Sequence, residues 1–388
     1  ARLGLESAFT PFQQGRGEMP QKKKDASQAT IDDVAREAGV SIATVSRVLN
    51  GTARVDPAKE ARVREAILAL GFAPRAAARA LAGRKTRVIG LVVPEISGDF
   101  FVPMLRGIER AAREAGYELL VQTGRPHNGD RALSCLVGQS ADGLLLFVDS
   151  ADAEALRRIT AARLPAVLLY AEAQGLDIPS VTIENEAGAA LAVCHLIDRH
   201  GRRRIACVRG PLGVHDAEAR LSGYRSALAT CGIPFDPGLV VPGDFQAEVA
   251  AASVRGLLAR GVDFDAVFAG DDASAMGVLA ALTEAGLAPG RDVSVIGFDD
   301  LPFAANAIPP LATVRAPTEE VGAAAVRILI RRIEDGTGGT GAGGPESLVL
   351  PTAFVPRASC GCGTEGAQGR QQPGGTGRLP VRHERRKG

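Results

Sequence analysis

The stretch TIDDVAREAGVSIATVSRVLN, residues 30–50, determines how the N-terminal part of this chain folds. Thr30 can cap a helix, because its hydroxyl accepts a hydrogen bond from a backbone amide that the helix itself leaves unpaired. The apolar residues of this helix recur at helical spacing: Ile31, Val34, Ala35 and Ala38. Gly39 can adopt the left-handed conformation that ends the helix, after which Val40 enters the core and Ser41 caps a second helix. The stretch therefore predicts two short helices joined by a tight turn.

The second helix has a buried side and an outward side. Its buried side is predicted to carry Val45, Val48 and Leu49. The outward side and its border carry the residues that we predict to contact DNA: Ile42, Ala43, Thr44, Ser46, Arg47 and Asn50. Arg47 can donate two hydrogen bonds to guanine, and the small Ala43 permits close approach to base edges. This face suits a recognition helix in the major groove, and the alternative is an ordinary helix pair with a solvated polar face.

Two more helical segments follow. A third helix is predicted to begin after Asp56 and to end at Gly71, with this apolar stripe: Ala61, Val63, Ala66, Ile67 and Leu70. Residues 74–83, PRAAARALAG, have high helix propensity but little to bury except Leu81, and so short a helix is marginal in water. We expect this segment to fold on DNA, with Leu81 wedged between base steps of the minor groove and Arg79 near the phosphates. The alternative is an alanine-rich linker.

These motifs together resemble the LacI/GalR family of bacterial transcription regulators. The resemblance rests on TIDDVAREAGVSIATVSRVLNG, on the ARALA segment and on VIGLVVP after it, and it runs from about Thr30 to Cys362. It implies an operator-binding domain that acts as a dimer, a hinge helix and a periplasmic-binding-protein-like core that senses a small molecule. Carried over by position, it implies Ile42, Ala43 and Arg47 as base readers and Leu81 as the minor-groove wedge.

Charge is distributed unevenly along the 388 residues, whose formal net charge is only +1. Residues 20–87 carry 14 Lys and Arg against 7 Asp and Glu, whereas residues 88–362 carry 23 against 33. The basic N-terminal end is therefore where DNA phosphates would be neutralised, and the acidic body would be held away from DNA. We expect DNA affinity to depend strongly on salt. A hydrophobic content of 46% also allows two or three domains with ample core.

The body alternates strand-like apolar runs with amphipathic helical stretches. Buried parallel strands are predicted at residues 88–93, 118–122, 143–148, 165–169 and 181–183, and a second set at 204–208, 266–269 and 293–298. Two β/α series predict two doubly wound lobes whose ligands bind beyond the carboxyl ends of the strands, in an interlobe cleft. The resemblance implies that the chain crosses between the lobes near residues 186, 313 and 345, so a ligand could set the angle between them.

Five residues are candidates for binding a small-molecule effector. Phe100 and Phe101 follow the first strand and can stack on an apolar sugar face, although at least one of them is equally compatible with plain core. Asp271 and Asp299 each end a buried strand, as carboxylates that accept sugar hydroxyls would. The resemblance implies Arg220 as a ligand for hydroxyl or carboxylate oxygens, and its forked guanidinium fits that role.

Other residues in the same segments leave alternatives open. Asp272 and Asp300 could cap the segments that follow them. His215 and Asp216 precede Arg220 and either tune specificity or belong to an ordinary surface loop.

Several patterns typical of enzymes or cofactor sites are incomplete. Residues 339–344, GTGAGG, match a phosphate-binding motif by letter, but no strand precedes them and no helix follows. Cys360 and Cys362 form one pair of thiols, whereas a zinc site needs about four ligands and the five histidines show no ligand spacing. No nucleophile elbow or P-loop is present. We therefore predict no catalytic residues, no metal and no cofactor.

The fold predicted from these observations is α/β, with a helix-turn-helix three-helix domain and a hinge helix ahead of a two-lobed, doubly wound parallel-sheet core that resembles periplasmic binding proteins. The predicted parts are a disordered arm (1–29), a DNA-binding domain (30–73), a hinge (74–86), an effector-binding and dimerisation core (87–362) and a disordered tail (363–388). Neither an apolar run of membrane-spanning length nor the residue order of a signal peptide is found, which predicts a cytoplasmic protein.

The sequence thus predicts a homodimeric repressor that binds operator DNA and is controlled by a sugar or sugar derivative. The alternatives are a regulator that senses a nucleobase or nucleoside, and an activator of the same family. Less favoured are a transporter's solute-binding protein, which has no use for residues 30–81, and an α/β enzyme, which needs a catalytic constellation in the cleft.

Overall fold

The structure is a computed structural model, and it describes residues 29–50, 53–72, 85–124, 141–147, 153–171, 175–336 and 347–363. The chain divides into two compact units, one ending at Arg79 and the other beginning at Ala80. Arg79 and Leu81 of the predicted hinge lie outside the described residues, as do the predicted N-terminal arm up to residue 28 and the tail from residue 364. No helix in the described part of the chain is long and apolar enough to span a membrane.

The first unit contains the predicted three helices. They are α1 (Ile31–Ala38), α2 (Ile42–Asn50) and α3 (Pro57–Leu70). A small core holds them together, and its fully or nearly fully buried members are Val34, Ala35, Ala38, Val45, Val63 and Ala66. The prediction of Ala61 as part of the buried stripe of α3 is wrong, because this side chain is exposed. Val48 and Leu49 are only half-buried, since they pack at the rim of so small a core.

The predicted helix ends of this unit are confirmed. The Thr30 hydroxyl accepts a hydrogen bond from the Asp33 amide at 3.3 Å, and the Asp33 carboxylate accepts one from the Thr30 amide at 2.9 Å. This reciprocal pair satisfies two amides that the helix leaves unpaired. Gly39, with a φ of 61°, ends α1 in the left-handed conformation, and its geometry turns the chain sharply into α2.

The second unit contains twelve strands within its described residues, most of them followed by a helix. In chain order the strands are β1 (Val88–Val93), β2 (Glu118–Thr123), β3 (Gly143–Phe147), β4 (Ala166–Leu169), β5 (Ser180–Ile183), β6 (Ile205–Arg209), β7 (Val240–Pro242), β8 (Ala266–Ala269), β9 (Ser294–Ile296), β10 (Thr313–Arg315), β11 (Leu348–Leu350) and β12 (Ala353–Val355). The helices are α4 (Phe101–Glu114), α5 (Ala153–Ala161), α6 (Asn185–His200), α7 (His215–Thr230), α8 (Ala247–Ala259), α9 (Asp272–Glu284) and α10 (Thr318–Glu334).

These strands form two parallel sheets, one in each lobe. The first lobe has the strand order β11-β5-β4-β3-β1-β2, and the second has β7-β6-β8-β9. β10 and β12 form a separate antiparallel pair. α4 and α10 pack on the first sheet, while α6 pairs with α7 and α8 with α9 in the second lobe. The predicted architecture of two doubly wound lobes is therefore confirmed.

The chain crosses between the lobes three times, as predicted. It leaves the first lobe between β5 and α6, returns between β10 and α10, and leaves again between β11 and β12. The third crossing lies near residue 351 rather than 345, because Leu348–Leu350 still pairs with β5 in the first sheet.

Some strands differ from the prediction. β2 is not buried as expected: Leu120 is 42% exposed and Val121 is 38% exposed, because β2 ends the sheet order in the described part of the lobe. The sequence analysis also missed β7, β10, β11 and β12, each only three residues long. Segments this short carry too few residues to show a periodic pattern.

Candidate functional site

A cavity of about 640 Å³ lies between the two lobes, beyond the carboxyl ends of their strands. The first lobe contributes residues that follow β1 and Phe147 at the end of β3. The second lobe contributes residues near the start of α7 and after β7, β8 and β9. The structure brings all five predicted effector residues to this cavity: Phe100, Phe101, Arg220, Asp271 and Asp299. They converge because each except Arg220 follows a parallel strand, and Arg220 projects from α7.

Arg220 is the best-anchored side chain of the cavity. It is only 4% exposed, and its Nε donates to Asn185 Oδ1 at 2.8 Å. Its two terminal nitrogens donate to the Gly270 carbonyl at 2.6 Å and to Asp299 Oδ1 at 3.1 Å. The guanidinium also lies 3.8 Å from the centre of the Phe298 ring. Because a guanidinium has five N–H groups, this network fixes its plane and still leaves donors for a ligand.

Asp299 is buried beside Arg220 in a strained backbone conformation, with a φ of 110°. Burial raises the pKa of Asp299 to about 7; the cation of Arg220 opposes this rise, and the carboxylates of Asp271 and Asp216 add to it. Several carboxyl groups therefore share one guanidinium in a poorly hydrated site. The charge of this site near neutral pH therefore depends on whether Asp299 holds a proton.

The aspartates next to these residues have structural tasks that differ from the alternatives considered above. Asp271, not Asp272, caps the following helix: its Oδ1 accepts from the Ser274 amide at 2.9 Å. Asp272 is fully buried, and it accepts from the Thr313 hydroxyl and from the Leu301 amide. Asp271 thus lines the cavity and also holds the start of α9. Burial raises the pKa of its carboxyl group.

Asp300 also caps no helix. Its carboxylate binds two arginines, Arg315 at 2.7 Å and Arg357 at 2.6 Å, and thereby joins β10 to the C-terminal segment.

An aromatic wall closes the cavity on the side of the first lobe. The ring centroids of Phe100 and Phe101 are 5.5 Å apart, and Phe100 lies 5.3 Å from Tyr170. The Phe147 ring belongs to the same group, and its centroid lies 5.4 Å from that of Phe101. Phe101 is buried in the core of the first lobe, whereas Phe100 is half-buried and presents more of its surface to the cavity. The interpretation as core therefore holds for Phe101, and stacking of Phe100 on a ligand stays a prediction.

The sequence analysis missed Asn185, which binds two residues of the cavity wall. Asn185 bridges Arg220 and Asp216, because its Nδ2 donates to Asp216 Oδ1 at 2.9 Å. Asp216 is buried at the start of α7 and not in a surface loop, while its neighbour His215 is exposed. Asn185 comes two residues after β5, so its position near a strand end was a usable signal.

Two further missed residues, Asp244 and Phe245, follow β7, which was not predicted. Their φ angles of 51° and 57° are unusual for side-chain-bearing residues and turn the chain toward the cavity.

Three of the residues predicted for the outward face of α2 are exposed. Ile42 is 47% exposed, and Ala43 and Arg47 are exposed as well. The hydroxyl of Thr44 lies 2.9 Å from that of Ser41, so it takes part in capping the helix. Ser46 is half-buried. Asn50 is the last residue of α2, and its side chain lies outside the part that the structure describes.

A second group of polar side chains lies outside the cavity. His195, His200, Cys360 and Cys362 each bring one ligand atom to within 4.8 Å of the others. The sequence analysis found no second pair of ligands for the two cysteines, and that conclusion is wrong. The pair comes from α6, which is some 160 residues away in sequence and adjacent in space.

Comparisons with known proteins match both units. Residues 30–75 match the family model of bacterial regulatory proteins of the lacI family, and residues 193–360 match that of a periplasmic binding protein-like domain. Fold and site thus define the class: DNA-binding transcription regulators with a ligand-binding core.

Curated relatives and solved structures specify this class further. The ribose operon repressor of Escherichia coli K12 is 38% identical over 315 residues, covering 80% of this chain and 94% of that protein. The regulator CelR of Thermobifida fusca is 37% identical over 341 residues, covering 85% and 98%. A lac repressor dimer bound to operator and anti-inducer has a TM-score of 0.74 at 28% identity, covering 86% of this chain and 99% of its own. A CelR–cellobiose complex has a TM-score of 0.65 at 35% identity, covering 85% and 99%. The chain belongs to the lacI family of bacterial regulatory proteins.

Proposed function

We propose that this protein is a homodimeric repressor whose affinity for operator DNA is controlled by a sugar or sugar derivative in the interlobe cavity. It acts on DNA, hence in the cytoplasm, and it catalyses no reaction. The observation that carries the proposal is the buried Arg220–Asp299 pair, which faces the aromatic wall across the cavity.

The chemistry of this cavity suits a polyhydroxylated ligand. Carboxylates of Asp299 and Asp271 can accept hydrogen bonds from hydroxyls, and Arg220 can donate to hydroxyl oxygens. The Phe100 ring offers an apolar surface for the C–H face of a sugar ring. The volume of about 640 Å³ lies within the range of pockets that enclose small molecules. A repressor of a ribose operon and a regulator solved with cellobiose are among the relatives, which supports the same class of ligand.

A nucleobase or nucleoside is the second candidate. Aromatic side chains line the cavity from both lobes, Phe100 and Phe147 from the first and Phe245 and Phe303 from the second. Two opposed aromatic surfaces can hold a planar heterocycle, whose polar edge would then meet Arg220 or a carboxyl group.

The DNA-reading surface is the outward face of α2. Arg47 would read guanine, while Ile42 and Ala43 would contact base edges and methyl groups. Thr44, Ser46 and Asn50 would add contacts at its border. The hinge segment with Arg79 and Leu81 would complete the site in the minor groove.

Control of DNA affinity would follow from a population shift between lobe angles. One angle would allow the two hinge segments of a dimer to fold together on DNA, and the effector would favour one angle over the other. The sense of control depends on which angle the effector prefers. An inducer would release DNA, and a corepressor would strengthen its binding.

Calorimetric titration with sugars, sugar acids, sugar phosphates, nucleobases and nucleosides tests the effector assignment. We expect one class of compound to bind and Arg220→Met to weaken its binding at least about thirtyfold, because loss of one partner from a buried charge pair costs about 2–5 kcal/mol. Arg255→Met is the matched control, since Arg255 lies in the same lobe and pairs with Glu284 at the surface.

Phe100→Ala is the second variant, because it removes a half-buried wall residue without removing a buried charge. Both cavity variants are checked for native circular dichroism. Ligand binding that survives in both folded variants would contradict the proposed site.

A further inference from the structure

Two histidines and two cysteines meet in the second lobe, and none of them lines the interlobe cavity. His195 and His200 lie in the last two turns of α6, while Cys360 and Cys362 lie in the turn after β12. We propose that these four residues, here called the Cys2His2 cluster, form a structural zinc site. No feature of the proposed effector or DNA-binding surfaces requires this cluster, so the inference stands independently of the proposed function.

The distances in the cluster agree with tetrahedral zinc coordination. Zn–S bonds of about 2.3 Å and Zn–N bonds of about 2.0–2.1 Å place sulfur and nitrogen ligands about 3.6 Å apart and two nitrogens about 3.3 Å apart. Cys362 Sγ lies 3.4 Å from His195 Nε2 and 3.4 Å from His200 Nε2. Cys360 Sγ lies 3.6 Å from His195 Nε2, and the two Nε2 atoms are 3.1 Å apart.

Hydrogen bonding alone does not account for this convergence. Each imidazole nitrogen has either one proton or one lone pair in the ring plane, so it makes one good hydrogen bond. His195 Nε2 nevertheless has three neighbours in the cluster between 3.1 and 3.6 Å away. A single cation at the centre would engage all four atoms at once. Two thiolates also neutralise Zn²⁺, so the site would bury no net charge.

The protein holds the four ligands in place through its own contacts. Gly361 separates the two cysteines with a φ of 100°, and a Cβ there would lie 3.2 Å from His200 Nδ1 and 3.0 Å from the Gly290 carbonyl oxygen. The buried Ser359 hydroxyl donates to the Val295 carbonyl at 2.7 Å and accepts from the Ala312 amide at 2.8 Å. The turn is therefore fixed against the second lobe, with both thiols close to the end of α6.

The cluster is also accessible to an ion from solvent. Cys360 is fully buried, but Cys362, His195 and His200 are half-buried, which leaves a path for the ion to enter. A zinc ion here would pin the C-terminal turn to α6 after the last crossing between lobes.

Metal content is the direct test. Full-length protein without a polyhistidine tag is purified under reducing conditions from cells grown with zinc, and its zinc is measured by mass spectrometry. We expect about one zinc per chain. Replacement of zinc by Co²⁺ should give the intense visible bands of a tetrahedral cobalt site, together with a thiolate charge-transfer band in the near ultraviolet.

Variants identify the ligands. Cys362→Ser and His195→Ala should lose the zinc and the cobalt spectrum, while Cys231→Ser, a cysteine of the same lobe outside the cluster, should keep both. If a ligand variant does not fold, chelation of the wild-type protein replaces it: thermal unfolding should shift to lower temperature and recover with zinc but not with magnesium.

Three results would overturn the proposal. The first is wild-type protein that contains no zinc and gives no tetrahedral cobalt spectrum after metal is added to the reduced protein. The second is a Cys362→Ser variant with as much zinc as the wild type. The third is a Cys360–Cys362 disulfide in most molecules when cells are lysed directly into an alkylating agent.

Discussion

At the scale of single residues, the charge of the interlobe cavity depends on Arg220 and the carboxyl groups around it. Arg220 pairs with Asp299, and burial raises the pKa of Asp299 to about 7 while the carboxyl groups of Asp271 and Asp216 lie nearby. The sequence predicted Arg220, Asp271 and Asp299, because a family motif or a strand end marks each of them. It did not predict the role of Asp216, because only the folded chain shows that α7 buries this carboxyl against Asn185.

The raised pKa of Asp299 predicts a pH dependence of stability. The folded protein holds this proton up to about pH 7, whereas an unfolded aspartate loses it near pH 4. Between these values the folded state binds more protons, so the free energy of unfolding falls as pH rises. Asp299→Asn should flatten that fall when urea unfolding is measured at several pH values from about 4 to about 8. An unchanged pH slope would contradict the burial assigned to this carboxyl group.

At the scale of helices and strands, two features lead to predictions. The exposed side of α2 bears on DNA binding, and the close helix pairs of the core bear on stability. Helices α1 and α2 and their caps could be predicted from local sequence. Thr30, Gly39 and Ser41 form their capping hydrogen bonds with residues only a few positions away. Four of the three-residue strands, β7, β10, β11 and β12, could not be predicted locally. β11 and β12 exist only because distant strands pair with them.

The exposed position of Arg47 on α2 predicts that its removal lowers the discrimination between bases. Arg47→Ala should lower the preference for operator over a variant operator roughly 5- to 150-fold, the worth of one bidentate guanine contact. Arg64→Ala is the matched control, because Arg64 is an exposed arginine of α3 that pairs with Glu60. Competition binding at fixed salt measures both. Equal effects of the two substitutions would show that α2 does not read bases.

Helices α4 and α10 pack so closely at Gly107 that we predict no larger residue fits there without a loss of stability. A Cβ at this position would lie 1.9 Å from the Glu319 carbonyl oxygen, so the helices must separate to accept it. We expect Gly107→Ala to cost about 3 kcal/mol or more of unfolding free energy. Gly256→Ala in α8 meets only the flexible end of Arg260 at 3.4 Å, and it should be neutral or stabilise by up to about 1 kcal/mol. Chemical denaturation measures the free energy of unfolding of both variants. Equal values would contradict the close packing of α4 and α10.

At the scale of the whole molecule, the chain joins a basic DNA-reading unit to an acidic two-lobed core. The two β/α series predicted the lobes and the cleft, because each series repeats one simple unit, and the family resemblance implied the three crossings. The exact third crossing and the Cys2His2 cluster could not be predicted, since both depend on how residues 347–362 return to distant elements.

The most direct test of ligand-controlled DNA binding is fluorescence anisotropy of the protein on labelled promoter DNA from its own gene neighbourhood, at fixed salt. The measurement is repeated with sugars, sugar acids, sugar phosphates and nucleobases, on the wild type and on Arg220→Met. The account predicts specific binding that one class of compound shifts in the wild type and does not shift in the variant. Specific binding that no compound shifts, or a shift that persists unchanged in folded Arg220→Met, would contradict it.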